Sequence, residues 1–182
     1  MNKLILRFIA ITMGMSLFLV ITPKTIYSLN KNCTYTPNPS QIGNELKGKE
    51  DLVKYFNDIK RIRNNINTIS INSETAKDKL SSIQKQINAY SSELKSILNS
   101  ISKHKIVYKN SLADIFIANQ LEIIAFILDT SLQQQLLLLK TVISGDIGST
   151  DLFFSEYLVS IYYYITVADE MIHHMESIYN IK

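Results

Sequence analysis

Glu170 and His173 come closest, by type and spacing, to a chemical site in this sequence. A carboxylate and an imidazole three residues apart lie on one side of an α-helix, where both can bind the same metal ion. A carboxylate-bridged two-metal centre in a helical bundle needs two such pairs and two further glutamates. The Glu-x-x-His spacing occurs once, so we predict no metal site and keep Glu170 and His173 only as candidates.

Other residues that could do chemistry do not form a catalytic set. His173 and His174 are adjacent and could sense pH, because imidazole titrates near neutrality, but a solvated pair near a helix end explains them equally. Cys33 is the one cysteine and has no histidine near it in sequence. No glycine-rich phosphate-binding loop precedes a helix, and no serine in a strained, glycine-flanked turn suggests a nucleophile elbow. We therefore predict a protein that is not an enzyme, with no catalytic residue and no cofactor.

The N-terminal residues have the layout of a secretory signal. Lys3 and Arg7 precede an uncharged apolar run, residues 8–21, and a more polar stretch follows at residues 22–28. The apolar run is short for a membrane span, so we predict residues 1–28 to be a signal peptide cleaved after Ser28. The predicted location is secreted or cell-surface.

Two alternatives for the N-terminus stay open. The apolar segment can be retained as an anchor instead of being cleaved. Cys33 can be read as a lipid-attachment site, although residues 30–32 before it lack the small side chains that such a site needs. All three interpretations place the bulk of the chain outside the cytoplasm.

Charge argues against a nucleic-acid partner. The chain has 19 basic and 16 acidic residues, and three of the basic ones, Lys3, Arg7 and Lys24, lie in the predicted signal. The remainder is electrically balanced, whereas phosphate binding requires a basic excess. Residues 29–105 are net basic and residues 106–182 net acidic. Either the two halves pack against each other, or the basic half faces an anionic wall, membrane or protein.

Glycine and proline are confined to a few places. Residues 29–48 contain several of them and predict a flexible leader, whereas residues 49–144 contain neither. Gly145 to Gly148 is the next turn signal, and residues 149–182 again lack both. We therefore predict that residues 49–182 form one helical domain.

Apolar residues in the first half of that domain recur at alternating steps of three and four. This spacing puts them on one stripe of a helix, as in a coiled-coil seam. The seam consists of Leu52, Tyr55, Ile59, Ile62, Ile66, Ile69, Ser73, Ala76, Leu80, Ile83, Ile87, Tyr90, Leu94, Ile97 and Ile101. Asn72, Ser73 and Glu74 are typical of a helix start and predict two helices, at about 50–71 and 74–104. A single helix through residue 104 is the alternative.

Residues 106–144 are apolar over most of the helix circumference. One polar stripe interrupts them: Asn119, Glu122, Asp129, Gln133 and Lys140. Its charges argue against a transmembrane helix and favour a central helix with most of its surface buried. Residues 149–180 predict a last helix, with Ser149 to Asp151 capping its start. Its main apolar row is Phe154, Leu158, Ile161, Ile165, Ala168, Ile172, Met175 and Tyr179, and a second row lies beside it.

The predicted fold is all-α, an antiparallel up-and-down bundle of four long helices with heptad-like packing. The predicted function is non-catalytic: an exported interaction or structural module that binds a protein, either itself or an envelope partner. A membrane-active protein is the second hypothesis, because residues 152–168 carry one charge and three consecutive tyrosines, Tyr162 to Tyr164. A metal-binding four-helix bundle is the third. The sequence predicts no particular small-molecule ligand.

Overall fold

The computed structural model describes residue 38, residues 41–69, residue 71 and residues 77–144 and 150–181. These residues belong to one unit, Pro37–Lys182. They contain five helices and no strand: α1 (Ile42–Glu45), α2 (Lys49–Ile66), α3 (Lys77–Val107), α4 (Leu112–Ser144) and α5 (Thr150–Ser177). The predicted signal peptide, Cys33 and the turn at residues 145–148 lie outside the described residues.

Side-chain contacts show that α2 and α3 run in opposite directions. Arg61, late in α2, pairs with Glu93 in the middle of α3. Asp51, at the start of α2, faces His104 in the last turn of α3. The chain therefore reverses between Ile66 and Lys77, and two helices replace the single long one that the unbroken heptad phase also allowed. The predicted capping residues, Asn72 to Glu74, lie outside the described residues.

The remaining helices continue the alternation. His104 at the end of α3 meets Asp114 at the start of α4, and Ser91 meets Asp129 further along both helices. Phe116 of α4 packs edge-on against Tyr179, just after α5. The prediction of an all-α bundle is confirmed, and its four long helices pack up and down.

The heptad seam forms much of the core. Nine of its positions are buried: Leu52, Ile59, Ile62, Ile66, Leu80, Ile87, Leu94, Ile97 and Ile101. Phe56 and most of Arg63 are also buried, although both residues lie beside the seam. A helix in a globular bundle buries a wider stripe than a two-stranded coiled coil does. The main row of α5 is buried from Ile161 to Met175, and Tyr179 just after the helix is buried too, whereas the neighbouring Ile178 is exposed.

Part of the predicted leader packs against the bundle. Ile42 in α1 is fully buried, and the backbone of Lys47 and Gly48 is bound to Asp114 of α4. The packed part of the chain therefore begins before Lys49. Glycine and proline indicated a break in periodicity there, but a single buried isoleucine leaves no periodic signal.

Ion pairs join the basic and acidic halves of the chain. Arg63 of α2 makes a two-pronged contact with Asp169 of α5, with both nitrogen–oxygen distances 2.6 Å. Lys60 pairs with Glu176 in the same two helices. Lys105 of α3 lies 2.6 Å from Glu122 of α4. These pairs favour the interpretation in which the two halves neutralise each other within the bundle.

One side of α4 is exposed, contrary to the expectation that most of its surface is buried. Ile123, Phe126 and Leu137 point to solvent, while Leu121, Leu128 and Leu139 are fully buried. By length and composition, α4 is the one described helix that could cross a membrane, and 44% of its apolar window is buried in the bundle. The predicted polar stripe of α4 lies beside these residues, but periodicity does not show how far the exposed side extends into its apolar neighbours.

Candidate functional site

The structure places Glu170 and His173 on the exposed side of α5. Glu170 lines a shallow groove with Gln120 and His174, one turn further on, whereas His173 does not line it. No group of three or more metal-binding side chains occurs among the described residues. The Glu-x-x-His spacing therefore brings together no set of ligands here.

His174 has a local partner. Its Nε2 lies 3.4 Å from the hydroxyl of Tyr179, and the two rings meet edge to face with centroids 5.1 Å apart. Burial raises the pKa of Tyr179 above its usual value, so the phenol stays neutral. The Tyr179 ring, just after α5, also packs against Phe116 of α4. Among the described residues, no charged side chain forms an ion pair with His174.

The most concentrated polar chemistry lies where α2, α3 and α4 meet. We call it the Asp114 cluster: the side chains of Asp114, Ser111 and His104 and the backbone N–H groups of Lys47 and Gly48. Ser111 precedes α4, and its hydroxyl caps the N–H of Asp114 at 3.4 Å while donating to the Asp114 carboxylate. The start of α4 thus positions a carboxylate at a helix N-terminus, where the dipole favours negative charge.

The Asp114 carboxylate is fully buried and accepts from four donors. Gly48 N–H donates to Oδ1 at 2.8 Å, and Lys47 N–H donates to Oδ2 at 2.9 Å. Burial alone would raise the pKa of Asp114. The hydrogen bonds it accepts and the facing imidazole outweigh burial, so this pKa lies below the usual value and the carboxylate is charged at neutral pH.

His104 completes the cluster and closes it to solvent. Its Nε2 lies 3.2 Å from Asp114 Oδ1, and the Tyr108 ring stacks on it with centroids 4.4 Å apart. Its Nδ1 has no hydrogen-bond partner among the described residues; the nearest carboxylate, Asp51, is 3.9 Å away. An aspartate–histidine pair could orient a catalytic base, but the His104 side chain is 1% exposed. The geometry suits a structural role, in which the hydrogen bonds of the cluster hold three helices together.

Sequence reasoning missed this cluster. Ser111 and Asp114 have the Ser-x-x-Asp spacing of a helix-capping motif directly before an apolar run, so a local signal was present. That motif predicts a helix start but not the long-range donors. Lys47 and Gly48 contribute backbone groups from more than 60 residues away, and these groups carry no side-chain signature.

A row of exposed apolar side chains lies on the outside of α4. We call it the outer stripe: Leu112, Ile123, Phe126 and Leu137. Ile123 lies about three turns after Leu112, and Leu137 about three turns after Phe126, so all four share one side of the helix. Phe126 is 53% exposed. Ile106 and Val107, in the last turn of α3, are also exposed and precede Leu112 in the chain.

A second exposed patch lies on α5. Val159, Tyr162 and Tyr163 occupy one side of the helix, and both tyrosines are 64% exposed. Tyr164 is half-buried and meets the Tyr163 ring edge to face. The three tyrosines are thus divided between solvent and the bundle. Side chains at 150–156 lie outside the described residues, so the predicted contact segment 152–168 is described only in part.

No protein-family model, curated protein or solved structure matches the chain.

Proposed function

We propose that this chain is an exported helical-bundle protein that acts without catalysis by binding a protein partner through the outer stripe of α4. The observation that carries the proposal is the exposure of four large apolar side chains on one side of the most apolar helix. Exposed apolar patches of this kind are typical of interaction sites, because water contact with them is unfavourable until a partner covers them.

Polar groups beside the stripe favour a protein over lipid. Gln133 and Lys140 of α4 are exposed on the flank of the stripe, and Asn119 lies half-buried between its apolar members. A bilayer would remove these groups from water without offering hydrogen bonds, which is costly. A partner helix can supply both apolar contacts and hydrogen bonds, as at the polar positions of coiled-coil seams.

The solution mass of the purified full-length chain tests this proposal. We expect wild type to self-associate with increasing concentration in analytical ultracentrifugation, or to form a discrete cross-linked complex in its own cell envelope. Phe126→Lys removes the centre of the stripe and should weaken association at least tenfold, since a buried aromatic at an interface contributes about 2 kcal/mol or more.

The matched control is Asn99→Lys, which adds the same charge at an exposed position of α3. It should associate as wild type does. A wild-type chain that stays monomeric at every concentration and yields no stripe-dependent complex from the envelope would contradict the proposal.

Export is the second part of the proposal and has its own test. Lys3, Arg7 and the apolar run 8–21 support a signal peptide. Intact mass and N-terminal sequencing of the protein from its source should show Leu29 as the first residue. A retained residue 1 would favour the anchor, a lipid-modified Cys33 would favour lipidation, and a cytosolic full-length chain would contradict export.

Membrane activity is the second candidate. The length and composition of α4 and the exposed tyrosines of α5 favour it. In this case the region from α4 through residue 168 opens onto a bilayer. Flotation with anionic and zwitterionic liposomes and a dye-leakage assay decide: neither association nor leakage removes this candidate, whereas leakage abolished by Phe126→Lys would favour it over protein binding.

A further inference from the structure

The turn between α3 and α4 exposes a group of aliphatic side chains at one end of the bundle. Ile106 and Val107, in the last turn of α3, are 71% and 72% exposed, the highest values among the large apolar side chains of the described residues. Leu112, the first residue of α4, is 51% exposed and also belongs to the outer stripe. We call Ile106, Val107 and Leu112 the α3–α4 tip.

Lysines flank the tip. Residues 94–113 contain four lysines and no acidic residue. Lys103 lies one turn before Val107 on the same side of α3, and Lys109 follows in the turn. Both are exposed, and neither forms an ion pair within the described part of the chain. Lysines at a helix end suit the helix dipole, but the dipole does not account for the exposed aliphatic side chains beside them.

The acidic residues around the tip do not cancel this positive charge. Asp114 is buried and accepts hydrogen bonds from four donors. Glu122 pairs with Lys105. Residues 47–51, which include the start of α2, contain two lysines and two acids and add no net charge. The tip therefore combines exposed apolar surface with two unpaired lysines.

The Asp114 cluster lies directly behind the tip and fixes its shape. His104 and Ser111, on either side of the turn, both bind the Asp114 carboxylate, and the Tyr108 ring stacks on His104. Within the turn, the N–H groups of Tyr108 and Ser111 donate to backbone carbonyls at 2.9 and 2.8 Å. Backbone groups that leave water need internal partners, so these hydrogen bonds lower the cost of placing the turn against lipid.

We propose that the α3–α4 tip inserts into the headgroup region of an anionic lipid surface. The aliphatic side chains reach the boundary of the acyl chains, while Lys103 and Lys109 bind the lipid phosphates. Lysine suits this position because its stem contacts apolar groups while its ammonium group stays among the headgroups. A few apolar side chains bind a bilayer weakly, and each lysine near an anionic surface strengthens binding. This contact is separate from protein binding centred on Phe126 of the outer stripe.

The chain contains no tryptophan, so a tryptophan introduced at the tip reports on that position alone. Full-length Val107→Trp is mixed with vesicles of phosphatidylcholine and phosphatidylglycerol in equal parts. The emission should shift to shorter wavelength, and brominated lipid should quench it, because the indole ring leaves water. Vesicles of phosphatidylcholine alone should give a much smaller shift. Val159→Trp is the matched control, since Val159 is 68% exposed on α5, and it should show neither change.

A pair of lysine substitutions tests the electrostatic part. Lys103→Gln with Lys109→Gln, in the Val107→Trp chain, should raise the lipid concentration at half-maximal shift by about tenfold or more. Lys79→Gln with Lys85→Gln removes the same charge from exposed positions in the first half of α3. This control pair should change the lipid concentration by less than about twofold.

Phe126→Lys separates lipid binding at the tip from the proposed function, because it should weaken protein association but leave the tryptophan shift intact. Circular dichroism checks the fold of each variant, and Ile106→Trp replaces Val107→Trp if the latter does not fold. The proposal is overturned by no shift at the tip, by equal shifts at the tip and at position 159, or by equal shifts with both kinds of vesicle. Equal effects of the two lysine pairs, or a shift abolished by Phe126→Lys, would overturn it too.

Discussion

The two ends of α2 differ in how the bundle treats its buried polar groups. At the N-terminal end, the carboxylate of Asp114 accepts four hydrogen bonds, and aromatic rings close over His104. At the C-terminal end, the amide of Gln135 lines a cavity with its Oε1 unpaired among the described residues. Both groups belong to α4, so one helix carries a buried carboxylate with several hydrogen bonds and a buried amide oxygen without a partner among the described residues.

This difference separates a buried polar group that stabilises the fold from one that does not. A buried charge that is fully hydrogen-bonded holds its donors in one arrangement, because removing any partner leaves the others unpaired. A buried amide oxygen without a donor costs stability instead, because no hydrogen bond offsets its removal from water. Substitutions at the Asp114 cluster should therefore cost stability, whereas an apolar substitution of Gln135 should leave stability almost unchanged or raise it.

Asp114→Ala should have the largest effect. It leaves two backbone N–H groups, one hydroxyl and His104 without their common acceptor, which should lower the free energy of unfolding by about 3–5 kcal/mol. Urea denaturation followed by circular dichroism measures this. Asp58→Ala is the control, since Asp58 makes only a partly exposed 3.7 Å contact with Arg61 and should change stability by about 0.5 kcal/mol or less. Equal effects in both variants would show that the Asp114 cluster does not hold the helices together.

Gly48→Ala should be the next most damaging. A Cβ at residue 48 would lie 2.4 Å from the His104 ring and 2.5 Å from the Tyr108 ring, so two packed aromatics must shift. Overpacking of this kind costs about 1–3 kcal/mol. Gly43→Ala is the matched control, because its Cβ would meet the Tyr179 carbonyl at an ordinary 3.5 Å. The same denaturation assay should show little loss there; a harmless Gly48→Ala would refute the close packing.

Low pH should reduce the contribution of the Asp114 cluster to the free energy of unfolding. The pKa of Asp114 is lower in the folded chain than its usual value, so its charge stabilises the fold above the unfolded-state pKa. That contribution is lost as pH falls through the usual aspartate range and then through the lower folded pKa. Unfolding free energies between about pH 6 and about pH 3 should decline more steeply for wild type than for Asp114→Asn. Parallel slopes would argue against the lowered pKa.

Two buried serines of the bundle provide the smallest and most closely matched contrast. Ser91 donates to Asp129 at 2.5 Å and accepts from Gln133 at 3.1 Å, so Ser91→Ala should cost about 1–2 kcal/mol. Ser131 has no partner among the described residues, so Ser131→Ala should change stability by about 0.5 kcal/mol or less, or raise it. A large loss in Ser131→Ala would mean that the Ser131 hydroxyl is hydrogen-bonded after all.

The helices could be predicted from sequence because their signal is local. The three-and-four spacing from Leu52 to Ile101 reflects burial of one helix side, and residues typical of a helix start, with one polar seam position, predicted the break in that region. The observed α2, α3, α4 and α5 agree with the predicted boundaries to within about six residues.

The sites could not be predicted because they depend on non-local contacts. Asp114 was one acid among nine in its half of the chain, and only folding brings the N–H groups of Lys47 and Gly48 to it. Gln135 lies two residues from the exposed Gln133, and the composition of this stretch does not show which one is buried. The outer stripe of α4 could not be predicted in the same way, since its apolar residues have no sequence signal that separates them from the buried apolar residues of that helix.

Photo-cross-linking from position 126 in the living source cell tests the central claim most directly. A photoreactive phenylalanine analogue in place of Phe126 should give an adduct of discrete mass, with a second copy or with an envelope protein. The same analogue at position 99 should give none. No adduct from position 126, or identical adducts from both positions, would contradict the proposal that the outer stripe of α4 is a protein-binding surface.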